Sequence, residues 1–266
     1  MKISFTKAHG DRNDFLLTWS SYAPSGDKAE MARAICDRHT GIGADGWLLV
    51  NPPSARDGTH GSIRLYNSDG SDSEMSGNGT RCAAAFLIDT GLASDEVRIR
   101  TGAGVKHLRL LSRTGSQFEF EMNMGQAVFA APGTTTLELP DGPVEATILD
   151  VGNPQCAVVV TDFAFDWRRM GALLERHPAF PNRTNVSFLR RVDDHTIDVR
   201  FFERGAGETM SSGTGSTGAA AVAVRMGLVS SPVSVLTPAG CLALRLEGEI
   251  FLTGPAQIVG GGEFYL

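Results

Sequence analysis

The chain has few cysteines, and those it has lie far apart. The 266 residues contain four, Cys36, Cys82, Cys156 and Cys241, and none forms a C-x-x-C pair. This spacing argues against a zinc site and against a disulfide framework in a chain of this length. The six histidines also lack metal-ligand spacing. We therefore expect no bound metal and mostly buried free thiols in a cytoplasmic protein.

Long apolar runs and an excess of positive charge are missing as well. No apolar stretch approaches the roughly 20 residues that a membrane span needs, and the first seven residues predict a strand rather than a signal peptide. The net charge of −6 and the lack of a basic stripe favour neither nucleic acid nor an anionic membrane as partner. The glycine-rich stretch at residues 41–46 precedes a predicted strand at 47–50, so it is not a nucleotide-binding loop.

An internal repeat organises the chain. A shift of 136 residues aligns residues 76–110 with residues 212–246, and 16 of the 35 aligned positions are identical, against roughly 6% expected from composition. The matches include Ser76 with Ser212, three consecutive alanines, and Gly91 with Gly227. We interpret the repeat as a duplicated structural unit.

Each repeat predicts the same succession of elements. Alternating strands at residues 63–66 and 197–202 precede a polar turn and then Ser-Gly-Asn-Gly or Ser-Gly-Thr-Gly. An alanine-rich run follows, which predicts a helix that is buried on all sides and ends near Gly91 or Gly227. Strands are expected next, at 97–101 and 105–111 and at 233–236 and 242–246. The predicted fold is α/β (α+β), with two pseudo-symmetric halves, each a curved, mostly antiparallel sheet around a central helix.

The predicted halves comprise residues 1–122, joined by a C-terminal strand at about 260–266, and residues 123–259. The return of the last strand is expected because terminal strands often pair with each other. We expect a ligand cleft between the halves. The sequence leaves the oligomeric state open, with a homodimer as one alternative.

The two helix starts are candidate anion sites. The first turn of a helix presents unpaired N–H groups and the positive end of its dipole, and glycines allow a ligand to approach closely. A carboxylate held by two such starts would have its α-carbon flanked by Ser76 and Ser212, which suits proton removal on one face and return on the other. Both serines also suit an ordinary helix N-cap, and the pattern alone favours that interpretation.

Several motifs together resemble the diaminopimelate epimerases, which are cofactor-independent isomerases. They are HGxxNDF at 9–15, DRxxGIGADG at 37–46, NxDGS at 67–71, GNGxRC at 77–82, GNP at 152–154 and ERGAGET at 203–209. The resemblance covers essentially the whole chain. It implies two pseudo-symmetric halves, a small-molecule amino-acid substrate, no cofactor, and the interconversion of LL- and meso-diaminopimelate.

The resemblance also implies roles for individual residues. Ser76 and Ser212 stand at the two catalytic positions. One set of residues matches those that hold the carboxylate of the non-reacting stereocentre: Asn67, Asn185 and Arg204. A second set matches those around its ammonium group: Asn13, Asn153 and Glu203. A third matches the helix starts that bind the reacting carboxylate: Gly77, Asn78, Gly213 and Thr214.

The catalytic positions depart from the family pattern, which has cysteine at both. A serine hydroxyl is a far weaker acid than a thiol and needs a partner base. Gln155 also replaces a family histidine, and Cys82 lies about 600° around the helix from Ser76. Three explanations stay open: engineered Cys→Ser changes, a natural epimerase with two serines, or a catalytically silent homologue that binds a diamino-diacid without epimerising it.

Overall fold

The computed structural model describes residues 2–53 and 58–266. The chain divides into two compact units, which we call the first unit (Met1–Asn123 with Thr253–Leu266) and the second unit (Met124–Leu252). The elements up to residue 125 are β1 (Lys2–Gly10), β2 (Asn13–Trp19), α1 (Lys28–Cys36), β3 (Gly46–Asn51), β4 (Gly61–Asn67), β5 (Asp72–Ser73), α2 (Gly77–Asp89), β6 (Glu96–Thr101), β7 (Gly104–Thr114) and β8 (Gln117–Gly125).

The later elements complete the second unit and end in a long strand. They are β9 (Val128–Phe129), β10 (Thr135–Leu139), β11 (Gly142–Asp150), β12 (Pro154–Val159), α3 (Trp167–Glu175), β13 (Asn185–Arg191), β14 (Thr196–Glu203), β15 (Gly207–Thr209), α4 (Gly213–Arg225), β16 (Val233–Thr237), β17 (Gly240–Glu247) and β18 (Glu249–Tyr265). The chain returns to the first unit at Thr253, earlier than the strand predicted near 260.

The first unit is a mostly antiparallel sheet around α2. Antiparallel pairs join β1 to β2, β3 to β4, β6 to β7 and β7 to β8, while β2–β3 and β4–β6 are parallel. The end of β18 pairs antiparallel with β1, from Lys2 opposite Tyr265 to His9 opposite Gln257, which confirms the predicted return of the last strand. Because β18 also pairs with β8, the strands form a closed ring.

The second unit repeats this arrangement around α4. Here β12–β13 and β14–β16 are parallel, while β11–β12, β13–β14 and β16–β17 are antiparallel. Both central helices span 13 residues, and α4 begins and ends 136 residues after α2 (213 − 77 and 225 − 89). The predicted duplicated unit and the fold class are therefore confirmed.

The central helices are buried as the alanine-rich runs predicted. Residues 77–87 and 213–223 are all buried, because small side chains allow strands to pack closely on every side. Gly91 and Gly227 follow the two helices with φ of 75° and 68°. This left-handed conformation favours glycine and terminates each helix.

Two further helices were not predicted from the sequence. In α1, the Asp27 carboxylate caps the helix by accepting from the Ala29 N–H, and the helix packs against β3 and β4. In α3, Asp166 caps by accepting from the Arg169 N–H, and the helix packs against β13 and β14. The last residue of α3, Glu175, is buried.

Candidate active site

Ser76 caps the central helix of the first unit. Its backbone is extended, and its Oγ accepts a hydrogen bond of 3.1 Å from the Gly79 N–H. The side chain of Thr80 bonds to the Ser76 carbonyl oxygen at 2.7 Å. Ser76 is half-buried, whereas Gly77 and Asn78 are buried. The predicted N-cap role is therefore confirmed, and the capped turn also has the positive end of the helix dipole.

Ser212 caps the central helix of the second unit with the same geometry. Its Oγ accepts from the Gly215 N–H at 3.1 Å, and Ser212 is 3% exposed. A side chain at Gly215 would place its Cβ 2.8 Å from the Phe201 ring and 2.9 Å from the Ser212 Oγ. This position therefore accepts only glycine, because any Cβ would displace the capping hydroxyl.

Ser212 has a carboxylate partner that sequence reasoning missed. The Ser212 hydroxyl donates to the Glu203 Oε1 at 2.6 Å. Glu203 ends β14 and Ser212 starts α4, so the turn between them returns the chain to the strand end. Serine needs an adjacent base to act in proton transfer. The partner is thus present, and the signal that could have found it is the nine-residue spacing from strand end to helix start.

The first unit has an asparagine where the second has this carboxylate. Asn67 occupies the repeat position of Glu203 (203 − 136), and its side-chain amide donates to the Ser71 Oγ at 2.9 Å. The two helix starts are therefore alike in backbone but differ in chemistry. Ser212 has a proton acceptor at hydrogen-bond distance, whereas the corresponding strand end in the first unit has an amide that bonds to a turn serine.

Three polar side chains meet at the start of α4. The Asn153 amide donates to the Thr214 Oγ1 at 3.2 Å, and the Gln155 amide donates to the Asn153 Oδ1 at 2.6 Å. All three residues are buried. Gln155, which the resemblance puts at a family histidine position, donates to Asn153 and can neither protonate nor deprotonate a neighbour near neutral pH.

Asn185 and Arg204 lie together in the second unit. The Arg204 N–H donates to the Asn185 Oδ1 at 3.0 Å, and the Asn185 amide donates to the Pro154 carbonyl oxygen at the same distance. The Arg204 guanidinium reaches the Asn182 carbonyl oxygen at 3.3 Å. Glu208 pairs with Arg168 and not with Arg204, with N···O distances of 2.5 and 2.7 Å.

Asn13 and Asn78 lie together in the first unit. The Asn78 amide donates to the Asn13 Oδ1 at 3.1 Å, although the two residues are 65 positions apart. In both units, therefore, the residue two after the capping serine, Asn78 or Thr214, contacts one of the asparagines that the family resemblance singles out.

The cysteines offer no substitute for the serines. Cys36, Cys82 and Cys156 are buried free thiols, and Cys241 is an exposed one. Burial raises the pKa of each of the three buried thiols to about 12, so their thiolates are not available near neutral pH. Among residues 2–53 and 58–266, no cluster of potential ligands could hold a metal ion, and no helix is long and apolar enough to cross a membrane.

The sequence matches one family closely. The model of the diaminopimelate epimerase family matches residues 5–130 and 147–259. A diaminopimelate epimerase from Pelotomaculum thermopropionicum is 38% identical over 279 residues, covering 98% of this chain and 99% of the relative. One from Nitrosospira multiformis is 36% identical over 282 residues, covering 100% and 99%.

Solved structures share the fold at lower sequence identity. A hydroxyproline epimerase from Agrobacterium vitis superposes with a TM-score of 0.77 and 16% identity, covering 98% of this chain and 90% of that one. A predicted epimerase from Pseudomonas aeruginosa has a TM-score of 0.71 and 16% identity, covering 98% of both chains. These likenesses establish the fold alone.

Proposed function

The chain belongs to the diaminopimelate epimerase family of cofactor-independent amino-acid isomerases, and we propose that it interconverts LL- and meso-diaminopimelate with Ser76 and Ser212 as the two proton-transfer groups. The observation that carries this proposal is the 2.6 Å hydrogen bond between Ser212 and Glu203. It supplies the base that a seryl hydroxyl needs. The family relationship supports the substrate.

The proposed reaction consists of three proton transfers and moves no heavy atom. The Cα–H proton passes to the Ser212 Oγ as the seryl proton passes to the Glu203 carboxylate. The electron pair of the C–H bond stays on Cα and delocalises into the adjacent carboxylate. Ser76 then donates its proton to the opposite face of Cα, where the electron pair forms the new C–H bond and the stereocentre is inverted. The Ser76 oxygen, which accepts from the Gly79 N–H, regains a proton from solvent, and Glu203 releases one to solvent.

The backbone at the two helix starts suits the charge that develops. Buried N–H groups at Gly77, Asn78, Gly213 and Thr214 are candidates to bind the reacting carboxylate. Such donors stabilise an enolate-like oxygen more strongly than the ground-state carboxylate, because its charge is more concentrated on oxygen. Asn67, Asn185 and Arg204 are assigned to the distal carboxylate, and Asn13 and Asn153 to the region around the distal ammonium group. The family resemblance also puts Glu203 in that region, but the proposed step uses Glu203 as the base for Ser212.

Product analysis tests the substrate assignment. Purified protein is incubated with LL-, meso- and DD-diaminopimelate, and the stereoisomers are separated by chiral chromatography, with proline and 4-hydroxyproline as control substrates. We expect LL and meso to approach one equilibrium ratio from both sides, while proline and 4-hydroxyproline keep their configuration. Conversion of a control but not of diaminopimelate would refute the assignment. Tight binding of diaminopimelate without conversion would favour a silent homologue.

Arg204 provides a test of the distal clamp. A planar guanidinium can bind a carboxylate through two parallel hydrogen bonds, and losing such a contact costs about 1.5–3 kcal/mol. Arg204→Ala should therefore weaken diaminopimelate binding roughly 10- to 150-fold by calorimetry. Arg204→Lys should restore little, because an ammonium lacks the fork.

Arg168→Ala is the matched control, since it removes an exposed arginine whose partner is Glu208. It should change the dissociation constant less than about threefold. Equal dissociation constants for wild type and Arg204→Ala would show that Arg204 does not bind the ligand.

Alkylation should distinguish serine from thiol chemistry. Iodoacetamide at about pH 8 should label Cys241 and leave isomerisation intact, because burial keeps the thiols of Cys36, Cys82 and Cys156 protonated, with pKa values of about 12. Peptide mass spectrometry gives the labelled position, and the rate is measured on the same sample. Loss of activity in step with labelling of a buried cysteine would contradict the proposed roles of the serines.

A further inference from the structure

Four side chains form a continuous hydrogen-bonded row in the first unit. The Arg81 guanidinium donates to the Asn78 Oδ1 at 2.6 Å, and the Asn78 amide donates to the Asn13 Oδ1 at 3.1 Å. The Asn13 amide in turn donates to the Asp45 Oδ2 at 2.7 Å. The row thus joins the start of α2 to the start of β2 and to the loop before β3, and it contains two residues assigned to the substrate.

The chemistry of the two ends sets the direction of every bond in the row. A guanidinium can only donate and a carboxylate can only accept, whereas an amide has one accepting and one donating end that can exchange places. With Arg81 at one end and Asp45 at the other, both asparagines must place their oxygens toward Arg81 and their nitrogens toward Asp45. Any flipped amide would bring two donors or two acceptors together.

Both ends are held firmly. Arg81 is fully buried, with its Nε donating to the Pro255 carbonyl oxygen at 3.0 Å and its Nη2 3.3 Å from the Asp11 carboxylate. The Asp45 carboxylate also accepts from the Asp14 N–H at 3.0 Å and from Arg38 at 2.8 Å. These contacts hold the Arg81 guanidinium, which can only donate, and the Asp45 carboxylate, which can only accept, and none of them involves a ligand.

The second unit has a row without this property. There Gln155 donates to Asn153, and Asn153 donates to Thr214. An amide and a hydroxyl stand at its ends, and both can donate or accept. The fixed direction of the hydrogen bonds is therefore a property of the row in the first unit that the row in the second unit does not share.

From this asymmetry we infer that Asp45 and Arg81 are positioning residues, which fix Asn13 so that it offers a carbonyl oxygen to an ammonium group of the substrate. The Asn13 oxygen accepts one bond from Asn78, and its second lone pair suits an ammonium donor. This inference rests on the proposed function for the identity of the ligand. The geometry of the row is independent of it.

Asp45→Asn tests the inference because it makes the row inconsistent. The new amide would face Arg38 on one side and Asn13 on the other, so a donor-only arginine would stand at each end. At least one pair of donors must then face each other. We expect diaminopimelate to bind at least about tenfold more weakly, and the side-chain amide protons of Asn13 to exchange faster with solvent in the free protein, as measured by NMR.

Removing the second arginine should restore the row. In the double variant Asp45→Asn/Arg38→Gln, the amide at position 45 is free to turn its oxygen toward Asn13. Its dissociation constant should fall within about threefold of that of Arg38→Gln alone. The double variant should also bind clearly more tightly than Asp45→Asn. Loss of the Asp45–Arg38 ion pair alone would instead make all three variants bind equally weakly, since each of them lacks that pair. 2-Aminopimelate, which lacks one ammonium group, should bind all four proteins within about threefold of one another.

Each outcome bears on a separate claim. Unchanged binding by Asp45→Asn, or a double variant as weak as Asp45→Asn, would overturn the inference. If Asp45→Asn does not fold, a folded double variant with restored binding supports the inference, and a double variant that also fails to fold overturns it. If the wild type binds no diaminopimelate, the proposed function fails, and Asn13 amide exchange across the four proteins still decides whether the row orients Asn13.

Discussion

Replacing both Ser76 and Ser212 with cysteine should raise the rate of Cα hydrogen exchange at least about 100-fold. A cysteine thiol has a pKa of about 8.5, and the N-terminus of a helix lowers this pKa. Each serine caps a central helix at such a position. A thiolate on one face and a thiol on the other would both be competent near neutral pH, whereas a seryl hydroxyl depends on its partner base. Deuterium incorporation into diaminopimelate in heavy water measures the rate.

The single variants and a matched double variant complete this experiment. Ser76→Cys or Ser212→Cys alone should raise the rate less than the pair does, because a two-face reaction needs a competent group on both sides. Ser94 and Ser230 are another repeat-related pair, and both are exposed, so Ser94→Cys/Ser230→Cys adds two thiols away from the helix starts and should leave the rate unchanged. A Ser76→Cys/Ser212→Cys protein that binds diaminopimelate but remains inert would show that the two-serine mechanism is wrong.

Glu203→Gln should lower the exchange rate about 10²- to 10⁴-fold, the usual contribution of a general base. Glutamine retains the size and one oxygen of the side chain, so the hydrogen bond from Ser212 can persist. It cannot take the seryl proton, however, because an amide is not a base near neutral pH. The loss should appear mainly in kcat. A loss confined to KM would instead indicate that Glu203 only binds the substrate.

Glu208→Gln is the control for this substitution. Glu208 lies five residues further along the chain, in β15, and forms an exposed ion pair with Arg168. Such pairs contribute about 0–1 kcal/mol to stability, so Glu208→Gln should change neither kcat nor KM by more than about twofold. If Glu208→Gln lowered kcat as much as Glu203→Gln does, the negative charge of this segment would explain the effect, and the contact between Glu203 and Ser212 would not.

The repeat let the sequence predict the parts of the fold that depend on local pattern. Ser-Gly-x-Gly followed by alanines determines where each central helix begins and how deeply it is buried. Both helices begin directly after the serine, are buried over their first 11 residues, and end two residues before Gly91 and Gly227. The strands that follow each helix were also predicted. By contrast, α1 and α3 were missed even though Asp27 and Asp166 are typical N-caps, because their nine-residue patterns lie outside the repeat.

The contacts within the candidate site were harder to predict, because they depend on which strands lie side by side. Asn13 meets Asp45 because β2 and β3 are parallel with Phe15 opposite Gly46. Residue spacing along the chain does not determine this register. The family resemblance assigned Glu203 to an ammonium group. Only the structure revealed its hydrogen bond to Ser212, which requires the turn after β14 to bring the strand end back to the helix start.

The central claim is that Ser76 and Ser212 transfer protons to and from the α-carbon of diaminopimelate. Its most direct test is deuterium incorporation at Cα in heavy water, with wild type compared with Ser76→Ala/Ser212→Ala at equal concentration and after both are shown to be folded. We predict that the wild type exchanges the Cα hydrogen of LL- and meso-diaminopimelate well above the buffer rate, and that the double alanine variant falls to that rate. Exchange by the alanine variant at the wild-type rate, or none by the wild type at high concentration, would contradict the account.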